Sequence, residues 1–310
     1  MCNHPLWTLI AARQIRGLAS ESYLVRTFHL PTSAPLWQSE CMPADRPNLP
    51  DLVSRVKLRL LRMHFESGVG HIGGNLSALD LLVCLYHQIL RPEDTFILSK
   101  GHAAGALYTT LWSTGALSEE DLRTFHKDAT RLSGHPPPNG IPEIPFATGS
   151  LGHGVGLAAG VALGKKLKDA PGRVFCLTSD GEWNEGSSWE AIIFAVQQGL
   201  SNLVILVDAN GLQGFGATSE VADLAPLAGK FREFNLQVEE IDGHNCAGIC
   251  GALDRTAAGP RVVVARTVKG CGVSFMENKL EWHYLPMTES QYRQAEREVL
   301  EACATRSAGS

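Results

Sequence analysis

Two short stretches carry residues of the right type and spacing for chemistry. Residues 179–191 read SDGEWNEGSSWEA and follow RVFCLTS (173–179), an apolar run with the make-up of a buried strand. Asn210 comes 30 positions after Asp180, in VDANGLQ, just past a second such run, NLVILVD (202–208). Loops at the carboxyl ends of strands are where open α/β sheets bind ligands. A carboxylate, an amide oxygen and a backbone carbonyl of the second loop form a hard, oxygen-only donor set. Such a set suits Mg²⁺, which keeps octahedral geometry and completes its shell with phosphate oxygens and water. Gly181 lets the backbone approach a ligand, and an N–H at the head of the helix expected over 187–199 suits a phosphate. The spacing suggests a magnesium–diphosphate site, although a DG…N pattern by itself is more often a pair of solvated loops.

Those loops need a frame, and the rest of the chain supplies one. Strand-like runs lie at 94–99, 173–179, 202–208, 236–242 and 261–267. From 173 onward they alternate with helical patterns at 187–199, about 223–232 and 246–257, which predicts a parallel sheet covered by helices on both faces. Apolar spacing predicts a helix over 48–66, with Asn48 as N-cap and Gly68 as stop. A buried helix is expected over 77–90, starting at Ser77, and others at 102–115 and from Ser118. The last helix, 288–303, opens with Thr288 and Gln291 as a capping box. Residues 131–149 are too rich in Pro and Gly for regular structure. In the helix expected over 152–168, Gly152, Gly156, Gly160 and Gly164 recur every four residues. Each costs about 1 kcal/mol relative to Ala, so something must pack closely on that face: another element of the same fold, or a partner.

Composition sets the class. With 44% hydrophobic and 19% charged residues in 310, the chain builds a real core. A net charge of −5 gives no basic footprint for nucleic acid. No apolar stretch reaches the roughly 18–20 residues of a membrane span. The eight cysteines are scattered, several inside apolar runs, which fits free thiols in a reducing, cytoplasmic compartment. Residues 1–47 differ in composition from the rest and read as an extension, a false start upstream of Met42 or a transit peptide. Residues 48–310 read as one domain.

The sequence resembles a known family, the transketolases. SDGEWNEGSSWEA followed by NLVILVDANGLQ is similar to their thiamine-diphosphate motif. Five further stretches match in order: SGVGHIGGNLSALDLL (67–82), ILSKGHAAGALY (97–108), LSGHP (132–136), ATGSLGHGVGLAAGVAL (147–163) and TVKGCGVSFMENKLEWH (267–283). The likeness spans roughly residues 48–300. It stops where a full-length transketolase continues into its pyrimidine-binding and C-terminal domains, so the chain resembles the N-terminal subunit of a split, two-gene transketolase.

The resemblance implies roles. Asp180, Asn210 and the Leu212 carbonyl would hold Mg²⁺, or Ca²⁺ or Mn²⁺, and through it thiamine diphosphate. Gly181 would place its N–H on the diphosphate, and Gly149, Leu151 and His153 would lie beside the cofactor. His71, His102, His135 and His283 match active-site histidines, suited to moving protons on sugar hydroxyls. Glu185 matches an acid at the subunit interface. The cofactor's activating Glu would come from a C-terminal partner, in an α2β2 assembly. The implied reaction moves a two-carbon ketol unit from a ketose, or ketose phosphate, to an aldose. His64, His87, His126 and His244 read as structural.

Three positions depart from the family pattern. Ser179 replaces the first Gly of the usual GDG, Asn75 follows the double Gly where a small residue is common, and GFG (214–216) replaces Ile-Asp-Gly. None removes a metal ligand; they bear on the sugar. A transferase acting on a non-standard sugar or a carrier-bound acceptor is therefore a second reading. A degenerate, non-catalytic subunit is a third, which retention of Asp180 and Asn210 disfavours.

Overall fold

The computed structural model describes residues 48–309; the expected extension over 1–47 lies outside the described residues. Five parallel strands form one sheet in the order β1-β2-β3-β7-β6: β1 (Thr95–Leu98), β2 (Val174–Ser179), β3 (Leu203–Ala209), β6 (Gln237–Asp242) and β7 (Arg261–Arg266). All the strand-like runs are strands of this sheet. Because both faces are covered, the central strands are apolar throughout and their side chains alternate between two cores. Phe175, Leu177, Val204, Leu206 and Val263 face one core, and Val174, Cys176, Leu203, Ile205 and Val262 the other.

The first core is built by α1 (Leu49–Ser67), α2 (Ile72–Cys84), α3 (Ala104–Thr114) and α9 (Cys246–Asp254), with α10 (Glu289–Gly309) along α1. The short α4 (Glu119–Arg123) is tied down by a reciprocal cap between Ser118 and Asp121. The second core lies under α5 (Gly154–Leu167), α6 (Gly186–Gln197) and α8 (Leu227–Glu233). A small hairpin of β4 (Leu212–Gln213) and β5 (Gly216–Ala217) leads into the single turn α7 (Thr218–Val221). Residues 131–149 contain no helix or strand.

Three local expectations are revised. Helix α2 begins at Ile72, five residues before Ser77. Gly73 and Gly74 are poor helix formers, but tertiary packing overrides propensity here: a Cβ on Gly73 would stand 3.1 Å from Lys269 Cγ and 3.2 Å from the Trp282 carbonyl oxygen. Asn48 caps α1 with its carbonyl, which accepts from Leu52 N at 3.0 Å, and not with its side chain. The glycine face of α5 is the third. A Cβ on Gly156, Gly160 or Gly164 would meet nothing within 4 Å, so these glycines do not serve close packing within the described fold. Gly152 stands before the helix and does pack, against Glu185 and Ser187.

His64, on the buried side of α1, is 1% exposed, and burial pushes its imidazole down to about 4. The unfolded chain takes up a proton near pH 6.5 while the folded one does not, so stability falls as pH drops from 6.5 toward 4. Between pH 7 and pH 5, urea unfolding of the wild type should lose on the order of 1–2 kcal/mol more than that of His64→Gln. Equal losses would show that His64 is not held neutral.

Candidate active site

The loops that leave the carboxyl ends of β1, β2, β3 and β7 converge at one edge of the sheet, around a buried ion pair. Asp208, near the end of β3, is fully buried and bonded to Lys100 Nζ, from the loop after β1. Ser77 Oγ on α2 donates to Asp208 at 2.7 Å, Asn210 Nδ2 at 3.3 Å, and Thr267 Oγ1 from the loop after β7 also donates. Lys100 Nζ donates in addition to the Gly74 carbonyl at 3.1 Å. Burial alone would raise Asp208; the Lys100 charge and these hydrogen bonds outweigh it and hold the carboxyl below its ordinary value.

The oxygen donors lie beside this pair. Parallel pairing sets Ser179 against Asp208, so Asp180 and Asn210 leave adjacent strand ends. Asp180 accepts from Gly211 N at 2.6 Å and from Gly181 N at 2.8 Å. The Gly181 N–H expected on a diphosphate is thus turned to Asp180. Burial, with the Asp208 charge adding to it, raises Asp180 to about 6 against those two bonds. Asn210 Oδ1 accepts from Leu212 N at 3.1 Å, and the Leu212 carbonyl accepts from Lys269 Nζ at 3.2 Å.

The four expected histidines come together. Ring centroids lie 5.8 Å apart for His71 and His102, 5.0 Å for His71 and His283, 5.7 Å for His102 and His283, and 6.4 Å for His71 and His135. His71 sits at the head of α2 with φ +64°, a left-handed conformation unusual for a side chain that large. Its N–H donates to the His283 carbonyl at 3.2 Å. Asn75 Nδ2 donates to the carbonyls of His71 (2.8 Å) and His102 (3.0 Å), while its Oδ1 accepts from Ala106 N (2.7 Å). The departure at Asn75 is thereby explained: it is a fully bonded clamp between two histidine backbones.

All four rings are held below their ordinary pKa, chiefly by burial. For His283, burial and then the Lys269 charge bring it to about 3. Lys269 Nζ lies 3.0 Å from His283 Nδ1. An ammonium only donates, so Nδ1 accepts, the proton sits on Nε2, and His283 offers an N–H. Burial, with Lys100 nearby, lowers Lys269 to about 8.

Gly149 adopts φ +131°, and a Cβ there would lie 2.7 Å from His135 Cδ2. It joins the loop over 131–149 to the histidine cluster. Leu151 is half-buried, and its carbonyl is 3.2 Å from His153 Nδ1. His153 and Glu185 stand apart from the cluster, exposed at the heads of α5 and α6. His153 lines a groove of about 860 Å³ that runs from Thr148 onto the glycine face of α5.

The sequence assigns no role to several contributors. Lys100 and Asp208 read as ordinary strand-end polars, and Lys269 lies in TVKGCGVSFMENKLEWH, a stretch in which only His283 stands out. Glu182 is the fourth: fully buried, it accepts from Gly152 N (2.9 Å), Ser179 N (3.3 Å) and Ser99 Oγ, which ties the β1 and β2 loops to the head of α5. Of the histidines read as structural, His87 bonds Ser113 Oγ at 2.9 Å, and His244 Nε2 accepts from Val268 N at 2.9 Å while its Nδ1 lies 3.4 Å from Asp80.

The donor set fits a divalent cation and a phosphorylated cofactor. It is oxygen-only, and burial together with the Asp208 charge raises its carboxylate, which a bound cation would offset. Three buried polar atoms around the edge, His71 Nδ1, Thr148 Oγ1 and Gln213 Nε2, have no hydrogen-bond partner among the described residues.

Comparison with known proteins decides the family. Residues 53–300 match the family described as transketolase, thiamine diphosphate binding domain. The chain belongs to that family. It is 38% identical over 255 residues to one of the subunits of apulose-4-phosphate transketolase from Phocaeicola vulgatus, covering 78% of this chain and 90% of that protein. It is 37% identical over 244 residues to a 6-deoxy-6-sulfo-D-fructose transketolase subunit of a Clostridium species, covering 75% and 89%. Human transketolase is 34% identical over 271 residues, which cover 81% of this chain but 42% of the human protein. The crystal structure of Campylobacter jejuni transketolase superimposes with a TM-score of 0.75 at 26% identity, over 81% of this chain and 42% of that one. The match thus spans about nine-tenths of the subunit-type relatives and about two-fifths of the full-length enzymes.

Lys100→Met would leave Asp208 buried without its cation. Removing one partner of a buried pair costs about 3–5 kcal/mol, so urea unfolding should show a loss of that order. Lys100→Met/Asp208→Asn should recover a large part of it. A single variant as stable as wild type would mean the pair does not hold the edge together.

Proposed function

We propose that this chain is the cofactor-binding subunit of a two-subunit transketolase. In this reading Asp180, Asn210 and the Leu212 carbonyl hold a divalent cation, Mg²⁺ in the first instance, and Gly149, Leu151, His153 and Gly181 line the thiamine diphosphate. Once bound, the cofactor supplies a nucleophilic carbon and then an electron sink. The chain's own residues do the rest. His71, His102, His135 and His283 face a ketose donor as neutral imidazoles. His283 presents Nε2–H to a sugar oxygen, and Lys269 fixes that tautomer. Glu185 stands at the subunit boundary.

The observation that carries the proposal is the position of Lys269. One ammonium bonds both the Leu212 carbonyl and His283 Nδ1, so the oxygen donors and the histidine cluster form a single constellation. The open face of α5 supports the partner. Gly156, Gly160 and Gly164 are uncovered there, and Ile193 and Phe194 on the neighbouring α6 are exposed. Relatives of the same length that are named as subunits support it too. The C-terminal partner would bring the pyrimidine-binding domain and the activating Glu, in an α2β2 assembly.

A second reading concerns the sugar. The subunit-length relatives are named for apulose 4-phosphate and 6-deoxy-6-sulfo-D-fructose, and this chain departs from the usual Ile-Asp-Gly at 214–216. Tyr284 Oη donates to the Gly214 carbonyl at 2.6 Å and would lie 2.8 Å from a Cβ at that position. The tyrosine therefore fills the space beside His283 that a side chain at 214 would take. This departure, with the sugars for which those relatives are named, supports a non-standard ketose as the donor.

The test is reconstitution. The tagged chain, with Mg²⁺ and thiamine diphosphate, should capture from its native cell a second protein that carries a pyrimidine-type domain. The pure chain should transfer no two-carbon unit and the pair should. In the pair, Asp180→Ala should abolish Mg²⁺-dependent thiamine diphosphate binding measured by calorimetry. Transfer by the single chain would overturn the two-subunit reading; unchanged cofactor affinity would overturn the site.

A further inference from the structure

Three thiols meet on the far side of α2 from the site. Cys84, in the last turn of α2, is fully buried. Cys246 and Cys250 lie one turn apart on α9 and are partly exposed. The Cys84 Sγ is 3.9 Å from the Cys246 carbonyl oxygen, and Cys250 follows one turn further along the helix that packs there. The two outer cysteines line a cavity of about 770 Å³, so small reagents reach them while Cys84 waits behind.

The surroundings divide the roles. Cys246 is the first residue of a nine-residue helix capped by Asn245, whose side chain accepts from Gly248 N at 3.1 Å. The positive end of a helix favours a thiolate. Contact with Cys84 lowers both outer thiols, and the same contacts, with burial, raise Cys84. The outer sulfurs, partly exposed and one of them at the head of a helix, are therefore better placed to ionise than the buried Cys84. Among the described residues no group of three His, Cys, Asp or Glu side chains is placed to hold a metal ion, so thiol–thiol chemistry fits the cluster better than metal ligation.

We propose that Cys84, Cys246 and Cys250 form an oxidant-responsive site, in which a hydroperoxide joins Cys84 to one of the two outer cysteines. The outer thiolate attacks a peroxide oxygen. The O–O bond breaks, the alcohol leaves with a proton, and a sulfenic acid remains. The Cys84 sulfur then attacks that sulfenic sulfur. The S–S bond forms, the S–O bond breaks, and hydroxide leaves with the Cys84 proton as water. Two thiols lose two electrons and two protons, and ROOH becomes ROH and water. The inference is independent of the function proposed above. It concerns the opposite end of the helix that carries His71, Asn75 and Ser77.

The experiment uses the full chain, reduced and then freed of reductant. Graded hydrogen peroxide is added, all remaining thiols are alkylated in denaturant, and peptides are mapped by mass spectrometry. Two of the eight cysteines should escape alkylation, in a cross-linked pair that contains Cys84 with Cys246 or Cys250, and dithiothreitol should restore both. Cys84→Ser should show no such pair and instead an outer sulfenic acid trapped by dimedone. If Cys84 remains alkylated at peroxide levels that consume the outer thiols, or if the disulfide that forms excludes Cys84, the proposal is wrong. The wild-type map decides this even if Cys84→Ser does not fold.

Discussion

A buried lysine–aspartate pair holds the working edge of this sheet. Two charges removed from water cost several kcal/mol each unless their partners are well placed. Here the carboxylate of Asp208 is met by Lys100, Ser77, Thr267 and Asn210. Those residues come from the ends of two other strands, a helix and the next loop. The pair therefore does more than stabilise. It fixes the β1, β3 and β7 loops and the first turns of α2 relative to one another, which no apolar contact could do with the same directionality. Replacing it with packed hydrophobic residues could leave a stable protein whose loops had lost their register.

The electrostatics of the site follow from that frame. Two buried lysines, Lys100 and Lys269, stand beside the histidines and help to keep His102 and His283 neutral. The same pocket contains Asp180, lifted to about 6 by burial and by the Asp208 charge. Cationic groups thus sit beside the histidines, next to a carboxylate that burial has raised. A divalent cation near Asp180 would satisfy the carboxylate and draw a diphosphate to the edge. The neutral imidazoles would remain free to accept or donate protons on hydroxyl groups.

Much of the frame was legible in the sequence, because parallel strands covered on both faces must be apolar throughout, and RVFCLTS, NLVILVD and RVVVART are. The ends of those runs placed Asp180 and Asn210 together, and ordered motifs brought in the four histidines. The start of α2 was not legible. The sequence pattern sets its start at Ser77, and only the approach of Lys269 and Trp282 to Gly73 makes glycine the residue that fits there. Lys100, Asp208 and Lys269 were missed for a related reason. A buried charge has no local pattern; its meaning lies in a partner 108 positions away for Lys100 and Asp208, or 14 for Lys269 and His283. Asn75 was read as a departure bearing on the sugar, whereas it is a backbone clamp.

The glycine face of α5 adds a constraint of another kind. Gly156, Gly160 and Gly164 each weaken the helix by about 1 kcal/mol relative to Ala. Had they served packing against the sheet, an added Cβ would meet neighbours, and none is met. The cost is thus unreturned within the described residues. Bare backbone beside Leu157 and Val161, with Ile193 and Phe194 exposed on the adjoining helix, is the surface on which the proposed partner would seat. It adjoins the groove that begins at Thr148, next to Gly149. A partner seated on this face would therefore lie beside the loop that carries Gly149, which packs against His135. In the proposed two-subunit enzyme, covering this face would place the partner next to the loop that reaches the histidine cluster through Gly149 and His135.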